Sequence, residues 1–289
     1  MKITRFFVKT LKKISQISKL RTLNKFANNI MMWRIYNKYN DKNLDYSNYL
    51  EKKESKYIWI CWLQGVDRAP EIVKQCISSV ERELGCDYKI NYICEKNFKQ
   101  FIKIDSNILD KYKKGVISQA QLSDIMRLEL LHTYGGLWID ATIFIRNGGF
   151  IKNINPLEIS SFKNTNSKID SISEGKWSIY FLYAPKNSIH IKYMRDLIFS
   201  YWRREDYLFD YFLIDYVFGS TKYFDKSFNE KIDNNFIKNN ERFLLDEVLE
   251  SSSLVELNDA EIIGCYKLSH KKEYLKSPND LFLIRGSEV

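Results

Sequence analysis

Residues 118–144 read SQAQLSDIMRLELLHTYGGLWIDATIF, and no other stretch restricts the fold as much. Ser118 followed by Gln121 predicts a helix start, with the serine accepting from the third helical amide and the glutamine reaching back. From there to Tyr134 apolar side chains point in nearly every direction, so the helix is buried. Gly135 and Gly136 allow the positive φ that a helix stop needs. Residues 137–139 then form a short apolar strand, and Asp140 emerges at its carboxyl end. Asp124 and Arg127, three residues apart, share one face of the helix. Charge inside so apolar an element costs desolvation unless it has partners or a use.

Upstream, KYIWICWLQG (residues 56–65) is a short apolar run closed by a glycine, which predicts a buried first strand and a turn. Pro70 and Glu71 open a helix running to about Glu83, and residues 88–97 alternate like a second strand. Strand and helix taking turns predicts an α/β fold with a parallel sheet. Ligands in such sheets sit beyond the carboxyl ends of the strands, where Asp140 stands. Further on, residues 177–190 predict a strand and turn, 191–202 an amphipathic helix, and 210–220 an aromatic-rich helix. The tyrosines and Asp215 of that last helix are candidates for lining a ligand cleft, although aromatic helices are more often simply core.

The net charge of +9 suggests an anionic partner until it is located along the chain. The first forty residues hold ten Lys or Arg and no acid, and the rest of the chain is close to neutral. A nucleic-acid partner needs a basic groove on the body, so none is expected. Five cysteines with no CxxC pair argue against a disulfide framework or a zinc site. No apolar run approaches the ~20 residues that span a bilayer, and Lys9, Lys12 and Lys13 interrupt any signal-peptide core. A cytoplasmic protein is expected.

In the basic segment, Ile3, Phe7, Leu11, Ile14, Ile17, Leu20, Leu23, Phe26 and Ile30 recur at helical spacing. Such a helix has two destinations. Its apolar stripe docks on the body, or it lies in an anionic membrane surface with lysines toward the headgroups. The absence of acid favours the membrane, and the division expected is a basic helical segment with connector over 1–52 and a globular domain over 53–289.

The combination of SDIMRLELLHTYGGLWIDATI with IWICWLQG, Ala69-Pro70 and, more weakly, YKLSHKKEY near the end resembles the capsular polysaccharide synthesis glycosyltransferases. The likeness spans residues 56–274. It implies a GT-A-like, Rossmann-type mixed sheet flanked by helices. It also implies transfer of a hexose, with galactose or glucose the guess, from a UDP-type nucleotide-sugar donor to a lipid-linked saccharide acceptor. Anomeric configuration would be retained, and the work done at the inner face of a bacterial membrane. By the same likeness Asp124, Arg127 and Asp140 are catalytic. Trp62, Gln64, Gly65, Tyr134, Gly135, Gly136 and Lys267 join them in binding donor.

Asp140 matches the first Asp of a DXD element, but the second is replaced, because the chain reads Asp140-Ala141-Thr142. On an extended strand Thr142 shares the face of Asp140, yet a hydroxyl is a weak ligand for a hard cation. Mn²⁺ or Mg²⁺ held by Asp140 and Thr142 together with phosphate oxygens and a C-terminal group is the favoured expectation. A metal-independent site using Lys267 or Arg127 stays open, with His270 and Lys271 as further cations. A catalytically inactive, transferase-like scaffold at the membrane surface is the alternative function.

Overall fold

The computed structural model describes residues 10–13, 21–41, 51–165, 171–251 and 264–279. Strand β1 (Tyr57–Cys61) pairs in parallel with β2 (Lys89–Ile93) and with β3 (Gly136–Ile139). The next two pairings, β3 with β6 (Phe181–Ala184) and β6 with β5 (Ser160–Lys163), are antiparallel, and the last, β5 with β7 (Ile237–Lys238), is parallel again. The strand order is β2-β1-β3-β6-β5-β7. The sheet is therefore mixed, as the resemblance implies, and not parallel throughout. A separate ribbon joins β4 (Ile143–Ile145) to β8 (Cys265–Lys267).

Period-two alternation divides the core between the two faces of the sheet. Trp59, Trp138, Leu182 and Ala184 face one layer, while Ile58, Ile60, Leu137, Ile139 and Phe181 face the other. The first layer contains α1 (Arg21–Tyr39), α5 (Gln119–Tyr134), α6 (Ile189–Arg204) and α7 (Leu213–Phe224). The second is covered by α2 (Glu71–Leu84), which buries Val73, Ile77 and Val80. Short helices α3 (Phe98–Phe101) and α4 (Ser106–Lys113) connect β2 to α5. Helices α8 (Phe228–Asn235) and α9 (Leu244–Glu250) flank β7.

Of the two destinations for the basic segment, α1 adopts docking. Ala27, Met31, Met32, Ile35 and Tyr39 are buried in the main core, mostly against α7. Its apolar positions are split, however, because Phe26 (56% exposed) and Trp33 (52% exposed) face outward. Leu11 packs on the core as well, whereas Ile3, Phe7, Ile14, Ile17 and Leu20 lie outside the described residues, as do residues 42–50 of the connector. No helix among the described residues is long and apolar enough to cross a membrane.

Candidate active site

Helix α5 starts as its sequence predicts at one end only. Ser118 accepts from the Gln121 amide, but the Gln121 side chain turns away and donates to the Tyr211 carbonyl at 3.0 Å. Tertiary contact overrides the reciprocal cap. The helix ends at Gly135 (φ 69°) and Gly136 (φ 100°), where a Cβ would lie 2.4 Å from the Lys186 amide nitrogen and 2.3 Å from the Tyr57 carbonyl oxygen. Only glycine lets three strands approach so closely.

At the other end of β3, Asp140 heads a tight turn in which its carbonyl accepts from the Ile143 amide. Asp140 and Thr142 thus converge through a turn, not along the extended strand expected from spacing. Ribbon pairing sets Lys267 opposite Ile143, which brings its ammonium to Asp140 Oδ2 at 2.9 Å and Thr142 Oγ1 at 2.7 Å. The other carboxylate oxygen, Oδ1, accepts from Arg127 Nη2 at 3.0 Å and from Trp138 Nε1 at 2.9 Å. Arg127 Nη1 lies 3.0 Å from Asp124, and the guanidinium sits over the Trp138 ring. Asp124, Arg127, Asp140, Thr142 and Lys267 therefore form one connected cluster.

The cluster opens into a cavity of about 550 Å³, a size suited to a nucleotide sugar. Trp62, Gln121, Trp177, Tyr180, Asp215, Arg242 and His270 complete much of its wall. Six buried polar atoms on that wall have no hydrogen-bond partner among the described residues: Trp62 Nε1, Gln121 Oε1, Arg127 Nε, the Tyr180 hydroxyl, and Nε and Nη1 of Arg242. Buried polar groups are rarely left unpaired, so a polar ligand is their natural complement.

Burial raises the Asp124 carboxyl to about 7 against the opposing pull of Arg127, and raises Asp215 to about 6 although Trp177 Nε1 donates to it at 3.0 Å. Asp140 is also buried, but Lys267 and Arg127 outweigh that and hold it below the usual carboxylate range. Burial together with Lys271 and Lys267 lowers His270, which stacks edge-on against Trp62, so it adds no charge at neutral pH. Burial also pushes the Cys61 thiol in the wall up to about 12, which makes it a poor nucleophile.

The other expected donor-binding residues lie elsewhere. Tyr134, Gly135 and Gly136 occupy the opposite end of β3 from Asp140, and Tyr134 packs against Trp59 while its hydroxyl donates to the Phe101 carbonyl. Gln64 donates to Gln119 and, like Gly65, is not part of the wall. Lys271 is exposed and outside it. Arg242 is a wall residue that no local sequence signal marks, since ERFLLDEV reads as an ordinary amphipathic helix start. Its place follows from long-range pairing, in which the Lys267 amide donates to the Arg242 carbonyl at 2.7 Å.

These donors do not suit a divalent metal. Mg²⁺ and Mn²⁺ prefer about six oxygen ligands. Here one carboxylate is already shared among Arg127, Trp138 and Lys267, and the adjacent hydroxyl bonds the same lysine. Among the described residues no group of three or more His, Cys, Asp or Glu could hold a metal.

A family model described as capsular polysaccharide synthesis protein matches residues 9–284. Comparison with curated proteins finds no match. Among solved structures, the PaToxG glycosyltransferase is similar at 17% identity, covering 81% of this chain and 84% of that one, with a TM-score of 0.41.

Proposed function

Because this chain belongs to the capsular polysaccharide synthesis protein family, we propose that it is a glycosyltransferase, with the Asp124–Arg127–Asp140 cluster at its reaction centre. The observation that carries this is the set of unpartnered buried donors, Trp62, Arg127 and Arg242, around a cavity of nucleotide-sugar size. The donor proposed is a UDP-linked hexose, glucose or galactose. In the reaction the bond between the anomeric carbon and the diphosphate oxygen breaks, and the electron pair leaves with the diphosphate. An acceptor hydroxyl bonds to the anomeric carbon and releases its proton. Retention, implied by the resemblance, requires the hydroxyl to arrive on the face from which the diphosphate departs. A phosphate oxygen is then the nearest base for that proton. Catalysis of this kind is positioning plus stabilisation of charge on the leaving group.

The acceptor proposed is a lipid-linked saccharide. Tyr211 and Phe212, both exposed and set edge to face, rim the cavity and offer stacking surfaces to sugar rings. A second cavity of about 370 Å³ shares Phe212 and Asp215 with the first and extends to Asn24 and Asn28 of α1. The exposed faces of Phe26 and Trp33 on that helix would seat the protein on an anionic membrane, where such an acceptor resides.

The test is donor hydrolysis across UDP- and GDP-sugars by the wild type, Asp124→Ala and Asp140→Ala. Hydrolysis of one donor, reduced at least about 100-fold in each variant, is expected. Equal rates in all three proteins, or no binding of any donor, would overturn the reading. The inactive, scaffold-like alternative predicts donor binding without turnover.

A further inference from the structure

We propose that the donor's diphosphate is bound by two fixed protein cations, Lys267 and Arg242, with no divalent metal. This rests on the transferase reading and names what its leaving group meets. Lys267 stands between Asp140 Oδ2 and Thr142 Oγ1, the two positions between which an Asp-x-Asp element would hold its metal. An ammonium there supplies one positive charge next to the carboxylate and leaves its remaining capacity toward the cavity. A divalent cation entering the same place would have to displace it and accept a neutral hydroxyl in exchange for a carboxylate.

Arg242 provides the second cation. It is 9% exposed, lines the cavity, and two of its guanidinium nitrogens are without hydrogen-bond partners. Nε–H and the Nη1 hydrogens leave from different edges of the guanidinium, so each suits a separate phosphate oxygen, with the charge fixed beside the cavity. The two cations are tied to each other through the backbone bond from Lys267 to Arg242, and the Lys267 ammonium lies 5.3 Å from the centre of the Tyr180 ring on the same wall. Arg127 already serves Asp124 and Asp140 and has one unpartnered nitrogen, against two for Arg242. Charge developing on the departing phosphate is thus met by groups that need no assembly at the moment of reaction.

The experiment titrates the full chain with UDP, GDP and inorganic pyrophosphate, in EDTA and in 1 mM Mn²⁺, by calorimetry. At least one nucleoside diphosphate is expected to bind in EDTA with a Kd within about twofold of that in Mn²⁺. Lys267→Ala and Arg242→Ala should each weaken it about tenfold or more, and Arg242→Lys less than Arg242→Ala. The double variant Lys267→Ala, Thr142→Asp should convert the site to one that binds at least about tenfold tighter with Mn²⁺. Thermal unfolding of each variant identifies any that fail to fold. Wild-type binding that requires Mn²⁺ would overturn this inference and leave the transferase reading standing. Alanine variants with unchanged Kd, or a double variant still indifferent to Mn²⁺, would overturn it too. Metal-free binding of pyrophosphate and nucleotide without turnover of any sugar donor would uphold the cation pair and sink the transferase. No binding of any probe would overturn both.

Discussion

Asp124 shows how one side chain links stability to chemistry. Its folded carboxyl titrates near 7 because burial penalises the charge, while an unfolded aspartate titrates near 4. Below the unfolded value both states are protonated and the native state bears no penalty. As pH rises from about 4 through about 7 the native state holds a proton that the unfolded state has lost, so stability falls across that window. Asp124→Asn removes the titration. The unfolding free energy from urea titrations should therefore fall more between pH 4.5 and pH 8 in the wild type than in the variant, by about 1 kcal/mol or more. Equal drops would show that Arg127 keeps Asp124 ionised throughout. Asp124, Arg127 and Asp140 were legible because charged residues interrupt an apolar helix and end an apolar strand. Arg242 was not legible, since no local pattern separates a solvated arginine from one whose neighbours desolvate it.

At the scale of elements, the turn between α5 and β3 holds the sheet together without touching the cavity. A methyl added at Gly136 meets the Tyr57 carbonyl oxygen at 2.3 Å, in a backbone conformation with φ 100° that L side chains rarely adopt. Gly136→Ala should cost about 3 kcal/mol or more through strain and a broken β1–β3 approach, visible as a lowered denaturation midpoint. Residual donor affinity in the folded fraction should be unchanged, which separates this role from donor binding. The two glycines were recognisable as a helix stop. Their burial against Lys186 and Tyr57 was not, because it depends on which strands become neighbours. The same limit explains the mixed sheet, since the strand–helix rhythm that signals parallel pairing fades after β3, where β6 and β5 enter antiparallel.

For the whole molecule, the docked α1 changes how membrane attachment is tested. Removing the helix would strip Met31, Met32 and Ile35 from the core, and a single such truncation to alanine commonly costs about 2–5 kcal/mol. Substituting the outward residues avoids that. Phe26→Ser with Trp33→Ser should weaken sedimentation with anionic vesicles several-fold, since each aromatic withdraws apolar area from water, while donor hydrolysis in solution stays the same. Unchanged sedimentation would remove α1 from the interface. Amphipathic spacing was evident from sequence, but which stripe turns inward is decided by α7 and the aromatic core beneath it. The ribbon of β4 and β8 has a temporal side. A chain still emerging from the ribosome already carries the Asp124–Arg127 helix and the Asp140 turn, but Lys267 comes some 125 residues after Thr142. On the cation-pair reading, a partly synthesised chain is unable to grip a nucleotide until that late strand has been laid down beside its early partner.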